Sequence, residues 1–194
     1  MEIVKITKSD LDKDNKYKKG FIGNYDDPEN VSVEIDESLG WVIFWEGIYV
    51  RGSIIAKAGS GIKAGWGIKA GLGIEAGLVI EAGLGIEAGS GIEAGWGIKA
   101  GLGIEAGLGI EASWGIISLY SWIKAKSSIT INAECRIAAG IFSFNGPQDV
   151  EAQEIIGEIC YGNKKILPKE VALTSVAKLD EIIELNGKKY KRID

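Results

Sequence analysis

Three spacings in the sequence invite a chemical reading, and each lacks a part its chemistry requires. Asp10, Asp12 and Asp14 are spaced like the opening ligands of a calcium loop, in which alternate carboxylates converge on one cation. The sharp turn of such a loop falls here on Asn15 instead of glycine, and its twelfth position is Phe21, whose side chain cannot ligate. Gly71, Gly73 and Ala76 match the dinucleotide fingerprint G-x-G-x-x-G/A, but neighbouring segments match it as well, and no strand-turn-helix unit surrounds any of them. Asn30-Val31-Ser32 is a glycosylation triplet without a secretory context. Histidine is absent from the 194 residues, which removes the side chain most used for proton transfer near neutral pH and for metal ligation. Cys135 and Cys160 are too few for a disulfide framework and read as small buried hydrophobes. No catalytic residue, metal site or cofactor is expected. An enzyme would have to use Lys, Glu or Cys in a pocket outside the repeats described next.

The elements that could position any site are dominated by a repeat. Most of the excess among the 28 glycines lies between Gly52 and Gly115. From Ile62 the chain follows I-[KE]-A-G-x-G, with Ile at 62, 68, 74, 80, 86, 92, 98, 104, 110 and 116 and Ala two residues after each of the first nine. Only Val79 and Ser113 depart from the glycine places. A period of six does not fit a helix, and two glycines per repeat would each cost about 1 kcal/mol there. An even period suits strands, because Ile-x-Ala puts both apolar groups on one side. The glycine after each alanine is expected to supply a left-handed corner. Such short strands become stable only by coiling so that equivalent residues stack. The expected fold is therefore all-β, a single-stranded parallel β-helix with ladders of Ile and Ala inside. Three hexads per coil give a triangular rod of about three regular coils, spaced about 4.8 Å apart. Two hexads per coil remain open, and the pairing of charges does not choose between these shapes.

These residues resemble the hexapeptide-repeat β-helices over about half of the chain, although the order of large and small residues is not that of the hexapeptide acyltransferases. Acyltransferases and carbonic anhydrases of that architecture depend on His, so the resemblance transfers neither activity. The array more narrowly resembles glycine-rich repeat proteins of unassigned function encoded by phages and mobile elements. That likeness implies no catalytic residues and points to a host-directed, anti-defence role. Ladders of Thr, as ice binding would need, are absent, since the chain holds only Thr7, Thr130 and Thr174.

Two places in the hexad vary. The first alternates in charge. In a triangular coil it gives the columns Lys63-Glu81-Lys99, Lys69-Glu87-Glu105 and the purely acidic Glu75-Glu93-Glu111. These charges form either a solvated face with weak cross-rung pairs or, in the third column, a stripe that mimics a nucleic-acid strand. The second variable place holds Ser60, Trp66, Leu72, Leu78, Leu84, Ser90, Trp96, Leu102, Leu108 and Trp114. A close-packed core would not accept Ser, Leu and Trp interchangeably, so this corner is expected to face outward. Two readings follow: these side chains fold back over neighbouring rungs, or Trp66, Trp96, Trp114, Leu72 and Leu102 form one apolar edge for an interface.

The flanks suggest caps. Residues 1–30 read as an N-terminal segment, residues 31–145 as the β-helix with regular hexads at 62–116, and residues 146–194 as a C-terminal cap. The coil is expected to continue to about Phe144, with a strand thereafter, a short helix starting at Pro168 and a hairpin around Asn186-Gly187. The net charge of -5 argues against nucleic acid as a direct partner. The longest uncharged run in the later chain, Ala112 to Ile123, has 12 residues, and about 20 are needed to span a membrane. The charged start carries no export signal, so a cytoplasmic location is expected. The expected function is a non-enzymatic protein-binding rod, a phage-encoded inhibitor of a bacterial defence nuclease that acts by docking or by acidic mimicry. A self-assembling structural protein, dimeric or polymeric along the same edge, is the alternative.

Overall fold

The computed structural model of the protein describes residues 1–131, 136–168, 183–185 and 188–190. Each Ile-x-Ala triplet forms a short strand with Ile and Ala buried and the residue between them turned outward, as in Ile68–Ala70, Ile74–Ala76 and Ile80–Ala82. Three successive triplets enter three different sheets, and the fourth returns to the sheet of the first. Sheet one stacks Ile74, Ile92, Ile110 and Ile129; sheet two stacks Ile62, Ile80, Ile98 and Ile116; sheet three stacks Ile68, Ile86, Ile104 and Ile123. All these pairings are parallel, and the described residues give sheets of eight, seven and seven strands. The molecule is an all-β parallel β-helix. One coil takes three hexads, so the triangular stacking is the one adopted.

The core is built from those columns. The isoleucines of these columns are at most 1% exposed, and the alanines beside them are also buried. Stacking identical apolar residues on neighbouring strands lets each Ile contact its equivalents above and below without a change of rotamer.

The hexad glycines have another origin than the expected left-handed corner. Among the described residues positive φ is confined to Gly20, Gly23, Gly40, Gly59, Gly140, Gly146, Gly157, Gly162, Asn15 and Ser38, none of which lies in the array. Spacing between coils is what excludes a side chain there. A Cβ at Gly83, Gly89, Gly101 or Gly107 would stand 2.0, 2.1, 2.0 or 1.9 Å from a carbonyl oxygen of the preceding coil. The second glycine of the hexad is not crowded in this way, since a Cβ at Gly73, Gly85 or Gly91 would meet its nearest backbone atom at 3.5, 3.4 and 3.5 Å. Val79 already occupies this place in sheet two.

Irregular coils flank the regular array on both sides. Glu2–Ile6 pairs in parallel with Val31–Ile35, and single bridges join Lys16 to Ile43, Ile22 to Ile48 and Glu29 to Val50. Residues 2–29 thus make a first coil, whose Ile6, Leu11, Tyr17 and Ile22 cover the end of the core. Tyr17 packs on Phe44 at 5.3 Å, and burial pushes its phenol pKa up. At the other end the coil runs past Phe144. Asp149–Ala152, Glu154–Ile156, Glu158–Tyr161 and Asn163–Ile166 continue the three sheets as far as Ile166. The hexad is lost there, but Val150, Ala152 and Ile155 still point inward, and this alternation is what a rung requires. Ile183–Leu185 and Lys188–Tyr190 pair antiparallel, as the expected hairpin requires. The turn at 186–187, Cys135 and the body of the helix expected from Pro168 lie outside the described residues.

Candidate functional site

The motifs with a chemical appearance are engaged in local structure. The Asp10 carboxylate accepts hydrogen bonds from the Thr7 backbone N–H at 2.9 Å and the Thr7 hydroxyl at 2.8 Å, which hold its pKa below the usual value. Asp12 accepts the backbone N–H groups of Asp14 and Lys16, both at 2.9 Å. Gly71, Gly73 and Ala76 lie at a corner and in a rung, with a strand where the fingerprint needs a helix. Among the described residues no group of three or more His, Cys, Asp or Glu is placed to hold a metal ion, and no helix is long and apolar enough to cross a membrane. The Cys160 thiol is exposed, 3.5 Å from the Ile137 carbonyl oxygen.

The variable corner faces outward, with Trp66 and Trp96 each 53% exposed and Trp114 63% exposed. Ser60 is the exception. It is buried, accepts the Leu39 backbone N–H and donates to the Asp36 carbonyl. The single apolar edge expected from the sequence does not form. A backbone hydrogen bond links each corner residue to its equivalent one coil earlier: Leu84 to Trp66 and Leu102 to Leu84; Ser90 to Leu72 and Leu108 to Ser90; Trp96 to Leu78 and Trp114 to Trp96. Three hexads per coil therefore distribute the corners over three edges. Trp66 and Trp96, five hexads apart, cannot share one.

This distribution gathers Leu72, Glu75, Glu93, Glu111, Trp96 and Trp114 around sheet one. Glu75, Glu93 and Glu111 are in register on adjacent strands, so their stems follow one another at about the 4.8 Å strand spacing. Leu72, Ser90 and Leu108 form the edge where the chain enters this sheet. Leu78, Trp96 and Trp114 form the edge where it leaves. Trp96 and Trp114 are stacked, with ring centroids 5.9 Å apart and planes 18° from parallel.

The other charge columns are built differently. In sheet two Glu81 lies between Lys63 at 3.4 Å and Lys99 at 3.8 Å. In sheet three Lys69 pairs with Glu87 at 3.3 Å. Opposite charges on neighbouring rungs stabilise slightly, and like charges destabilise by a similar amount. Among the described residues only sheet one presents three acidic residues in a row, and these are the residues framed by exposed Trp and Leu.

Trp66 and Leu102 belong to a second surface, a groove of about 520 Å³ on the outer side of sheet three. Gly67, Gly85 and Gly103 form its floor, Trp66, Leu84 and Leu102 one wall, and Tyr25, Tyr49 and Trp122 its ends. Tyr25, Tyr49 and Trp122 are additions to the residues expected from the sequence, and Leu84 is expected there only as one of the outward corners. Trp122 stands where the hexad has its second glycine, one residue before Ile123, and that substitution is a readable signal. Tyr25 carries none. It arrives through the first coil and donates its hydroxyl to Glu87 at 3.5 Å across 62 residues of sequence. Comparison of the chain with protein-family models, curated proteins and solved structures finds no match in any of the three, and its site is defined by this geometry.

Proposed function

We propose that the protein is a non-enzymatic binding rod that docks through the face of sheet one onto a basic surface of a partner protein. The supporting observation is the in-register column Glu75-Glu93-Glu111 between exposed edges bearing Leu72 and Leu108 on one side and Trp96 and Trp114 on the other. Like charges stacked on neighbouring rungs repel, and a partner with Lys and Arg side chains would relieve that repulsion at Glu75 and Glu93. Aromatic side chains flanking a charged centre supply the apolar area that anchors an interface. Basic protein surfaces that accept a line of negative charge are those that hold nucleic-acid backbones. The reading therefore extends to an inhibitor that occupies the nucleic-acid site of an enzyme, in the manner of an anti-defence protein acting on a nuclease.

The test is affinity capture from bacterial lysate with the intact chain and two variants, E75Q/E93Q/E111Q and W96S/W114S, followed by mass spectrometry and binding measurements on the captured protein. A nucleic-acid-binding protein should be captured, displaced by added DNA and by salt, and lost with either variant, while W66S leaves its capture unchanged. Capture that both variants leave unaltered would overturn the reading. So would particle size that grows with concentration in light scattering and falls with W96S/W114S, because the face would then serve a second copy of the chain.

A further inference from the structure

We propose that the groove on sheet three is a binding site for an organic cation with an apolar body, a quaternary ammonium group carried on an aromatic frame. The site lies on a different sheet from the docking face and does not rest on that reading. Its floor spans the rungs of Gly67, Gly85 and Gly103, which at the strand spacing is about 10 Å from end to end. A volume of about 520 Å³ suits a small molecule of that length. The floor is open because glycine stands where sheet two carries Val79, although the backbone at Gly85 leaves a Cβ ordinary contact distance.

Charge and aromaticity select the ligand. The charged side chains lining the groove are Glu87 and Glu105, which are neighbours in register. Glu87 is paired with Lys69 and receives the Tyr25 hydroxyl. Glu105 lies in register with Lys124, whose ammonium sits over the Trp122 ring at 5.0 Å. Among the described residues no ion pair joins Glu105 to a cation. The groove's own aromatic faces already attract positive charge, since the Lys69 ammonium lies 4.4 Å from the Tyr25 ring centroid. A cation in the groove would give Glu105 a partner and lie among the Trp66 and Trp122 side chains that line it, and a carboxylate beside aromatic rings is the combination that recognises quaternary ammonium groups. An anion would lie against Glu105 and be repelled by it.

Titration calorimetry on the full chain, with naphthylmethyl-trimethylammonium, naphthalenemethanol and naphthalenemethanesulfonate as probes, tests the assignment. The cation should bind about tenfold more tightly than the neutral alcohol, and the sulfonate should not bind. E105Q should remove most of the advantage of the cation while the alcohol binds as before. G85V should abolish binding of both with an unchanged unfolding midpoint, since valine at the equivalent place is part of this fold. No binding by the cation, equal binding of cation and alcohol, or cation binding that survives in folded G85V would each overturn the proposal.

Discussion

Gly101 lies so close to the preceding coil that a methyl group on it would stand 2.0 Å from the Gly83 carbonyl oxygen, whereas one on Gly85 would lie 3.4 Å from its nearest neighbour. The two positions are adjacent members of the same repeat logic, yet only the first is obligatory. G101A should lower stability by about 1–3 kcal/mol, because the coils must separate to admit the methyl group. G85A should be neutral or stabilising by up to about 1 kcal/mol through a less flexible unfolded chain. Urea unfolding midpoints at constant slope measure both. The need for glycine was legible in the repeat, but its reason was not. A left-handed corner and a close approach both call for glycine, and backbone torsions together with the distance to the next coil separate them.

At the scale of the rung and its neighbours, the three outward columns differ in what they do for the fold. Glu81, between two lysines, is a stabilising partner, so E81K should place three ammonium groups in register and lower stability by about 0.5–1 kcal/mol. E93K should do the reverse in sheet one, raising stability by a few tenths of a kcal/mol while weakening any basic partner. Both effects should shrink in 1 M salt, where the Debye length falls to about 3 Å. Stabilisation by E81K, or destabilisation by E93K of equal size, would show that the columns do not act through charge. The Ile-x-Ala rungs themselves were legible from an even period and one-sided apolar residues. The rungs at Asp149–Ala152 and Glu154–Ile156 were obscured, because turns of other lengths remove the hexad while the inward residues Val150, Ala152 and Ile155 persist.

For the whole molecule, stability is shared between neighbouring coils, and the ends need covering. Deleting residues 1–30 would uncover the edge of Val31–Ile35 and the core side chains Ile35 and Phe44, both fully buried in the intact chain. Unpaired strand edges beside apolar surface recruit other chains. The truncated protein should therefore associate in light scattering at concentrations where the intact chain keeps a constant size. Equal behaviour of the two would mean that the first coil is not a cap.

Periodicity, together with the interchange of Ser, Leu and Trp at the corner, carried the β character of the chain, the burial of isoleucine and the exposure of that corner apart from Ser60, because side-chain alternation along a strand is a local property of the backbone and a packed core does not accept such volume changes. It left two or three hexads per coil equally acceptable, since both keep the same residues inside. The vertical neighbours depend on that number, and tertiary stacking chose three. That choice placed Trp66 and Trp96 on different edges, aligned Glu75 with Glu93 and Glu111, and brought Tyr25 and Trp122 to opposite ends of a glycine-floored groove. These contacts join residues eighteen or more apart, and they exist only once the coils have closed.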